Sequence, residues 1–263
     1  MPKLAANLST MFNETPFLER FERAARAGFS AVEFQFPYAF DPDAIGAELK
    51  RNRLEIALFN LPPGDIEAGE RGLASIPEAR ERFRESLEPA LRHALATGCR
   101  RLHCMAGVLS GPAAMAEREA AFVANLREAA ALFRPYGIRL LIEPLNPLDT
   151  PNYFLSSVEQ AAAIVETVGS PGVGIQYDFY HQSRMRGELV ATFDRFRNLI
   201  GHVQIAGNPG RHEPDTGEVD YRFVLQALDS RGYDGFVGCE YVPAGDTEAG
   251  LGWAQAWLNA RAA

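Results

Sequence analysis

Arg139-Leu140-Leu141-Ile142-Glu143-Pro144-Leu145-Asn146-Pro147 is a short apolar run that ends on a carboxylate and is stopped at once by proline. Pro144 and Pro147 cannot donate to a sheet ladder, and Pro144 disfavours helical geometry at Glu143. The run therefore reads as a buried strand with the acid at its C-terminal tip. A single carboxylate at a strand-to-loop junction is an ordinary surface feature. Three later strand-like runs, however, also finish on a polar residue: Asp178, Gln204 and Glu240. The intervals between the four are each about 30 residues, the length of one strand-helix unit.

Strand-like stretches at 4–7, 31–36, 55–60, 101–105, 139–143, 173–178, 200–204 and 235–240 alternate with helical patterns. The helices are expected at 17–27, 41–51, 77–97, 112–136, 157–168, from after Asp178 to about residue 198, at 221–230 and at 247–260. Asp41 before Pro42 and the Ser156/Ser157 pair suit N-caps, and glycines close several helices. The segment 64–76, rich in glycine and charge, is long for a connection and is a candidate active-site loop or lid. Strict strand-helix alternation implies parallel strands, and eight units predict one α/β domain over residues 1–263, a single (β/α)₈ TIM barrel. An open doubly wound sheet is the competing arrangement, but no Gly-x-Gly-x-x-Gly follows any strand, and Gly169 to Gly174 precedes its strand as a turn.

The chain has 263 residues, 47% hydrophobic and 23% charged, enough to bury a substantial core. Its formal net charge of -8 and the lack of a basic run argue against a nucleic-acid partner. No apolar stretch is long enough for a membrane span or a signal peptide. Cys99, Cys104 and Cys239 lack metal-type spacing and read as reduced core thiols, which predicts a cytoplasmic protein. Homo-oligomer formation is left open, and Trp253 and Trp257 on the last helix read as barrel packing.

In a barrel, the C-terminal strand ends open into one mouth, where active sites assemble. Glu143, Asp178, Gln204 and Glu240 would ring one point. Their hard oxygens form a ligand set suited to Mg²⁺ or Mn²⁺; without an ion, three carboxyl groups so close would repel and raise their pKa values. Both readings stay open. His181, three residues after Asp178, could face the same mouth, and Arg211 in the loop after strand seven could hold a substrate carboxylate bidentately. His202 is expected as a hydrogen-bonded histidine deeper in the barrel, His103 inside strand four, and His93 on a helix surface. Glu143 and Glu240 facing one another across a small molecule would suit proton transfer between adjacent carbons through an enediolate, with no organic cofactor.

Several motifs carry a family resemblance: Phe59-Asn-Leu-Pro-Pro-Gly64 with Gly69-Glu-Arg-Gly72, His103-Cys-Met-Ala-Gly107, Ile142-Glu-Pro-Leu-Asn146, Asp178-Phe-Tyr-His181, Gly210-Arg-His-Glu-Pro214 and Gly235-Phe-Val-Gly-Cys-Glu-Tyr241. In this order and over the whole chain, the sequence resembles the hydroxypyruvate isomerase family of the xylose isomerase-like barrels. The resemblance implies an intramolecular oxidoreductase of the aldose-ketose type, acting on a small 2-oxo acid or sugar-acid substrate. It implies Glu143 and Glu240 as the catalytic pair, with Asp178 and Gln204 completing a divalent-cation site. It also implies His181 and Arg211 as substrate contacts. Gln204 stands where related epimerases carry histidine, and Gly207 where close relatives carry an acid. Interconversion of hydroxypyruvate and tartronate semialdehyde is the expected reaction; a 2-oxo-tetronate isomerase or ketose 3-epimerase would use the same positions.

Overall fold

The computed structural model describes residues 2–109 and 113–258. Eight parallel strands close on themselves in sequence order: β1 (Lys3–Asn7), β2 (Ala31–Phe34), β3 (Glu55–Asn60), β4 (Arg101–His103), β5 (Arg139–Ile142), β6 (Val173–Asp178), β7 (Ile200–Ile205) and β8 (Phe236–Cys239). Closure is made by β8 against β1, with Leu4 opposite Val237 and Ala6 opposite Cys239. The expected (β/α)₈ barrel is what the chain forms, and the alternative open sheet is not.

The crossovers carry α1 (Phe17–Arg26), α2 (Pro42–Asn52), α3 (Arg80–Glu85), α4 (Leu87–Thr97), α5 (Met115–Phe133), α6 (Val158–Val168), α7 (Phe179–Met185), α8 (Leu189–Phe196), α9 (Tyr221–Ser230) and α10 (Gln255–Leu258). Local chemistry sets several ends. Asp41 accepts from Asp43 N at 3.0 Å ahead of Pro42, and Ser157 Oγ accepts from Gln160 N at 3.2 Å.

Three expected helices are interrupted, each for a visible reason. The 77–97 helix divides into a 3₁₀ turn, α3 and α4, because Pro89 has no N–H to bond one turn back and Ser86 Oγ instead donates to Phe83 O at 2.6 Å. The stretch after Asp178 divides at Gly187 and Glu188, both at positive φ. The last one begins as a 3₁₀ helix over Ala249–Ala254, where Gly250 and Gly252 weaken the α form. The starting residue 112 of the expected fifth-strand-preceding helix and the end of the last helix near residue 260 lie outside the described residues. Pro135 ends α5, and a 3₁₀ turn leads to Gly137.

His93 is not a helix-surface residue. It is buried on the inner side of α4, with Nδ1 2.8 Å from Pro89 O, Nε2 3.2 Å from Phe40 O, and its ring edge-to-face with Tyr38. The 64–76 segment is tied down over its second half. Ser75 N donates to Ala106 O at 2.8 Å, and Gly72, at φ +103°, packs so closely that a Cβ would lie 2.3 Å from Met105 O. Residues 65–69 are its exposed tip.

One apolar layer fills the space between strands and helices. Cys99, Cys104 and Cys239 are buried and unpaired, and Trp253 packs edge-on against Tyr241 beside Trp257. Among the described residues no helix is long and apolar enough to cross a membrane. Inside the barrel, Ala5 and Ala31 form a small apolar floor with Ala57 and Phe236. Two residues further along their strands, on the same inner face, stand Asn7 and Glu33. The barrel interior thus turns from apolar to polar toward the C-terminal strand ends.

Candidate active site

Each strand end delivers its polar residue to this upper layer. Glu143 follows β5 and is buried, with Oε1 lacking any hydrogen-bond partner. His103 Nδ1 lies 3.6 Å from its Oε2, and His181 Nε2 lies 4.0 Å from its Oε1. Asp178 ends β6 and caps α7, its Oδ1 accepting from Tyr180 N at 2.7 Å. Its Oδ2 is unpartnered, 3.7 Å from His181 Nε2 and 3.9 Å from Arg211 Nη2.

Glu240 is held very differently. Arg211 Nη2 donates to Oε2 at 2.7 Å and Arg211 Nε to the Glu240 carbonyl at 3.2 Å. Gln35 and Asn7 donate to Oε1 at 3.0 and 3.3 Å. The guanidinium also lies 5.2 Å from the Tyr180 ring centroid, a cation–π stack that limits its swing.

Of the expected residues, Glu143, Asp178, His181, Arg211 and Glu240 therefore meet at one mouth. Gln204 stands among them on β7 but spends its amide within the barrel: Nε2 donates to Glu33 Oε1 at 2.8 Å, and Oε1 accepts from Gln176 at 2.6 Å. Glu33 is the residue the sequence reading passed over. It is fully buried, accepts from Asn7 Nδ2 at 3.0 Å, and its Oε2 lies 2.6 Å from His202 Nε2. His202 is the hydrogen-bonded interior histidine expected. Gly238 opposite makes the room: a Cβ there would lie 2.2 Å from Glu33 Oε2. The signal was present, since Ala31-Val-Glu33 is another apolar run reaching a carboxylate.

The electrostatics follow from these contacts. Burial, followed by the charges of Glu240 and Asp178, drives the Glu143 carboxyl well above the usual carboxylate range. Burial also raises Glu240, but Arg211 and the Gln35 hydrogen bond pull it back. Asp178 is raised by burial to about 7, against the opposing pull of Arg211. Burial lowers His103 to about 3 and His181 well below its ordinary value, so both rings are neutral. Both glutamates are thus raised, Glu143 the further, because Arg211 and Gln35 offset more of the burial at Glu240.

A stability consequence can be measured. Between the ordinary carboxylate range and its raised folded value, Glu143 holds a proton in the native state that the unfolded chain has released, so stability falls as pH rises through that window. With chelator present, the wild-type melting temperature is expected to fall as pH rises above about 6.5, where His103 and His181 are neutral in the unfolded chain as well and Asp178, raised to about 7, and Glu143 give up their protons. Glu143→Gln should flatten the fall and melt higher than wild type at the alkaline end. A lower melting point for the variant there would contradict this charge balance.

A closed barrel whose mouth carries two glutamates, an aspartate, a neutral histidine and an arginine defines a class of small-molecule enzyme sites. Residues 21–261 match the family described as the xylose isomerase-like TIM barrel, and the chain belongs to that family. It is 45% identical over 253 residues to the hydroxypyruvate isomerase of Escherichia coli (strain K12), covering 96% of this chain and 98% of that protein. It is also 45% identical over 259 residues to the 2-oxo-tetronate isomerase of Cupriavidus necator, covering 98% and 100%. A solved structure named as an AP endonuclease of family 2, from Brucella melitensis, superposes with a TM-score of 0.96 at 49% identity, covering 98% of this chain and 99% of that one.

Proposed function

We propose that the protein is an isomerase that interconverts hydroxypyruvate and tartronate semialdehyde by moving a proton between Glu240 and Glu143 through an enediolate. The observation that carries this reading is the unequal setting of the two glutamates. Glu240, held by Arg211 and two amides, is the ionised base; Glu143, buried without a partner on Oε1, is the acid. Glu240 takes a proton from the hydroxymethyl carbon, the C–H pair becomes the C2–C3 double bond and the carbonyl π pair moves onto the C2 oxygen; the C3 hydroxyl proton then passes to that oxygen as the C3 carbonyl forms, and Glu143 delivers a proton to C2. The reverse reaction exchanges the roles.

Arg211 spends Nη2 and Nε on Glu240, which leaves Nη1 for a substrate carboxylate. A charged acid is therefore a better fit than a neutral ketose. The relatives named for hydroxypyruvate and for 2-oxo-tetronates support this substrate class, and the longer acids are the second reading.

The donor set also fits a divalent cation. Glu143, Asp178 and His181 each offer a ligand atom, all within 4.8 Å of one another, and Glu143 Oε1 and Asp178 Oδ2 are buried without partners. Mg²⁺ or Mn²⁺ would be held by these two oxygens, whereas Glu240 and Gln204 are engaged with protein groups in this state. A bound ion would stabilise negative charge on the substrate oxygens. Glu143 cannot give its full charge to an ion and serve as the acid at once, so the two uses compete. The buried free thiols support a reducing, cytoplasmic setting.

A panel of hydroxypyruvate, four-carbon 2-oxo-tetronates and free ketohexoses, run with and without chelator, tests this reading. Turnover of the acids and none of the ketohexoses is expected, with hydroxypyruvate fastest. Epimerisation of ketohexoses without turnover of either acid would overturn it. Loss of acid turnover in chelator, restored by Mn²⁺, would assign the ion to the working enzyme.

A further inference from the structure

His181 faces the catalytic carboxylates with Nε2, and what that nitrogen can do depends on where the ring keeps its proton. The other nitrogen, Nδ1, is approached by two groups of Asn146: the backbone N–H at 3.1 Å and the side-chain Nδ2 at 2.7 Å. The amide orientation of Asn146 is fixed independently. Its Oδ1 accepts from the backbone N–H groups of Leu148 at 3.1 Å and Asp149 at 2.9 Å, and its Nδ2 also donates to Asp149 Oδ2 at 3.0 Å. Asp149 in turn is anchored by the Tyr180 hydroxyl at 2.7 Å. Nδ1 therefore meets only donors and must be an acceptor. An imidazole whose Nδ1 accepts is neutral and carries its single proton on Nε2.

That Nε2–H is not spent on the protein. Its neighbours Asp178 Oδ2 and Glu143 Oε1, at 3.7 and 4.0 Å, are beyond hydrogen-bond reach. We infer that Asn146 is a positioning residue that locks His181 as the neutral Nε2–H tautomer, so that the ring donates a hydrogen bond to the substrate oxygen that becomes negative and does not serve as a metal ligand. The inference rests on the proton-transfer reading of the site. It assigns to a buried asparagine three residues past Glu143 a role in the reaction rather than in loop structure alone. A neutral donor stabilises the enediolate oxygen without adding a second cation beside Arg211.

The test reads the proton directly. In ¹⁵N-histidine-labelled protein, with the His181 signals assigned by their loss in His181→Gln, long-range ¹H–¹⁵N correlation should show Nε2 protonated and Nδ1 bare. Asn146→Asp places an acceptor beside Nδ1. It should move the proton toward Nδ1 and lower kcat by about 10²-fold or more with KM little changed. Asn146→Ala keeps the backbone donor and should retain the tautomer, with a smaller loss of kcat. An Nδ1–H ring or an imidazolium in the wild-type spectrum would overturn the inference, as would an Asn146→Asp variant with wild-type kcat. Because the spectrum needs no substrate, failure of the lock and failure of the proposed reaction are read separately.

Discussion

Glu143→Gln and Glu240→Gln are each expected to lower kcat on hydroxypyruvate by about 10³-fold or more while changing KM by only a few-fold. Each amide keeps the shape of the carboxyl group but can neither accept nor release the transferred proton. The two variants should differ in a secondary way. Glu240→Gln removes the charge that holds Arg211 at 2.7 Å, leaving a guanidinium free to grip the substrate carboxylate more tightly, so KM should fall slightly. Glu143→Gln leaves that ion pair intact and removes only the acid. The double variant should be scarcely slower than either single one, because the two groups act in one sequence. Steady-state kinetics on the three variants checks this, and retention of a tenth or more of wild-type kcat by either single variant would exclude that residue from proton transfer.

The largest stability effect is expected at Glu33, which touches no candidate substrate position. Glu33→Ala removes the carboxylate that accepts from Asn7 and Gln204 and pairs with His202 at 2.6 Å. Three buried polar groups would then lose a partner in the interior of the barrel, along with the packing volume provided opposite Gly238. Breaking a buried hydrogen-bonded pair from one side costs about 3–5 kcal/mol. At about 2–4 °C per kcal/mol for a chain near this size, the melting temperature should drop by roughly 6–20 °C. Thermal denaturation followed by circular dichroism measures it, and a drop under about 3 °C would show that water satisfies the abandoned donors. Activity should fall as well, since Asn7 donates to both Glu33 and Glu240.

What the sequence carried and what it did not can be traced to particular residues. The apolar runs ending at Asn60, Asp178 and Glu240 were legible because proline, glycine or a cap stops each at its boundary, and local stopping chemistry is written in neighbouring residues. The shared mouth was legible too, since parallel strands at one-unit intervals bring every C-terminal end to the same rim. The partnerships were not. Arg211 reads as a loop arginine able to hold a substrate carboxylate, with nothing to announce that β8 places Glu240 against it, and Gln204 reads as a cation-site oxygen, with nothing to announce the bond from its amide to Glu33 across the barrel. Both pairings join residues distant in the chain, and no spacing rule encodes them. His93 shows the same limit on the outside of the barrel: its helix position is ordinary, and only the neighbouring crossover carrying Tyr38 and Phe40 buries it. The break before α4 was readable from Pro89, but a proline in a first helical turn is tolerated and marks a boundary only once the preceding turn is seen to end.

The most direct test of the central claim is isomerisation of hydroxypyruvate in D₂O, with product sampled early and corrected for non-enzymatic exchange. Transfer through two separate glutamates requires that the proton delivered to carbon 2 come from a solvent-exchanged Glu143, so nearly every product molecule should carry deuterium there. Product that retains the substrate's own hydrogen at carbon 2, with no solvent deuterium, would mean that the same hydrogen migrates, by a hydride shift or on a single shielded base, and would contradict the account.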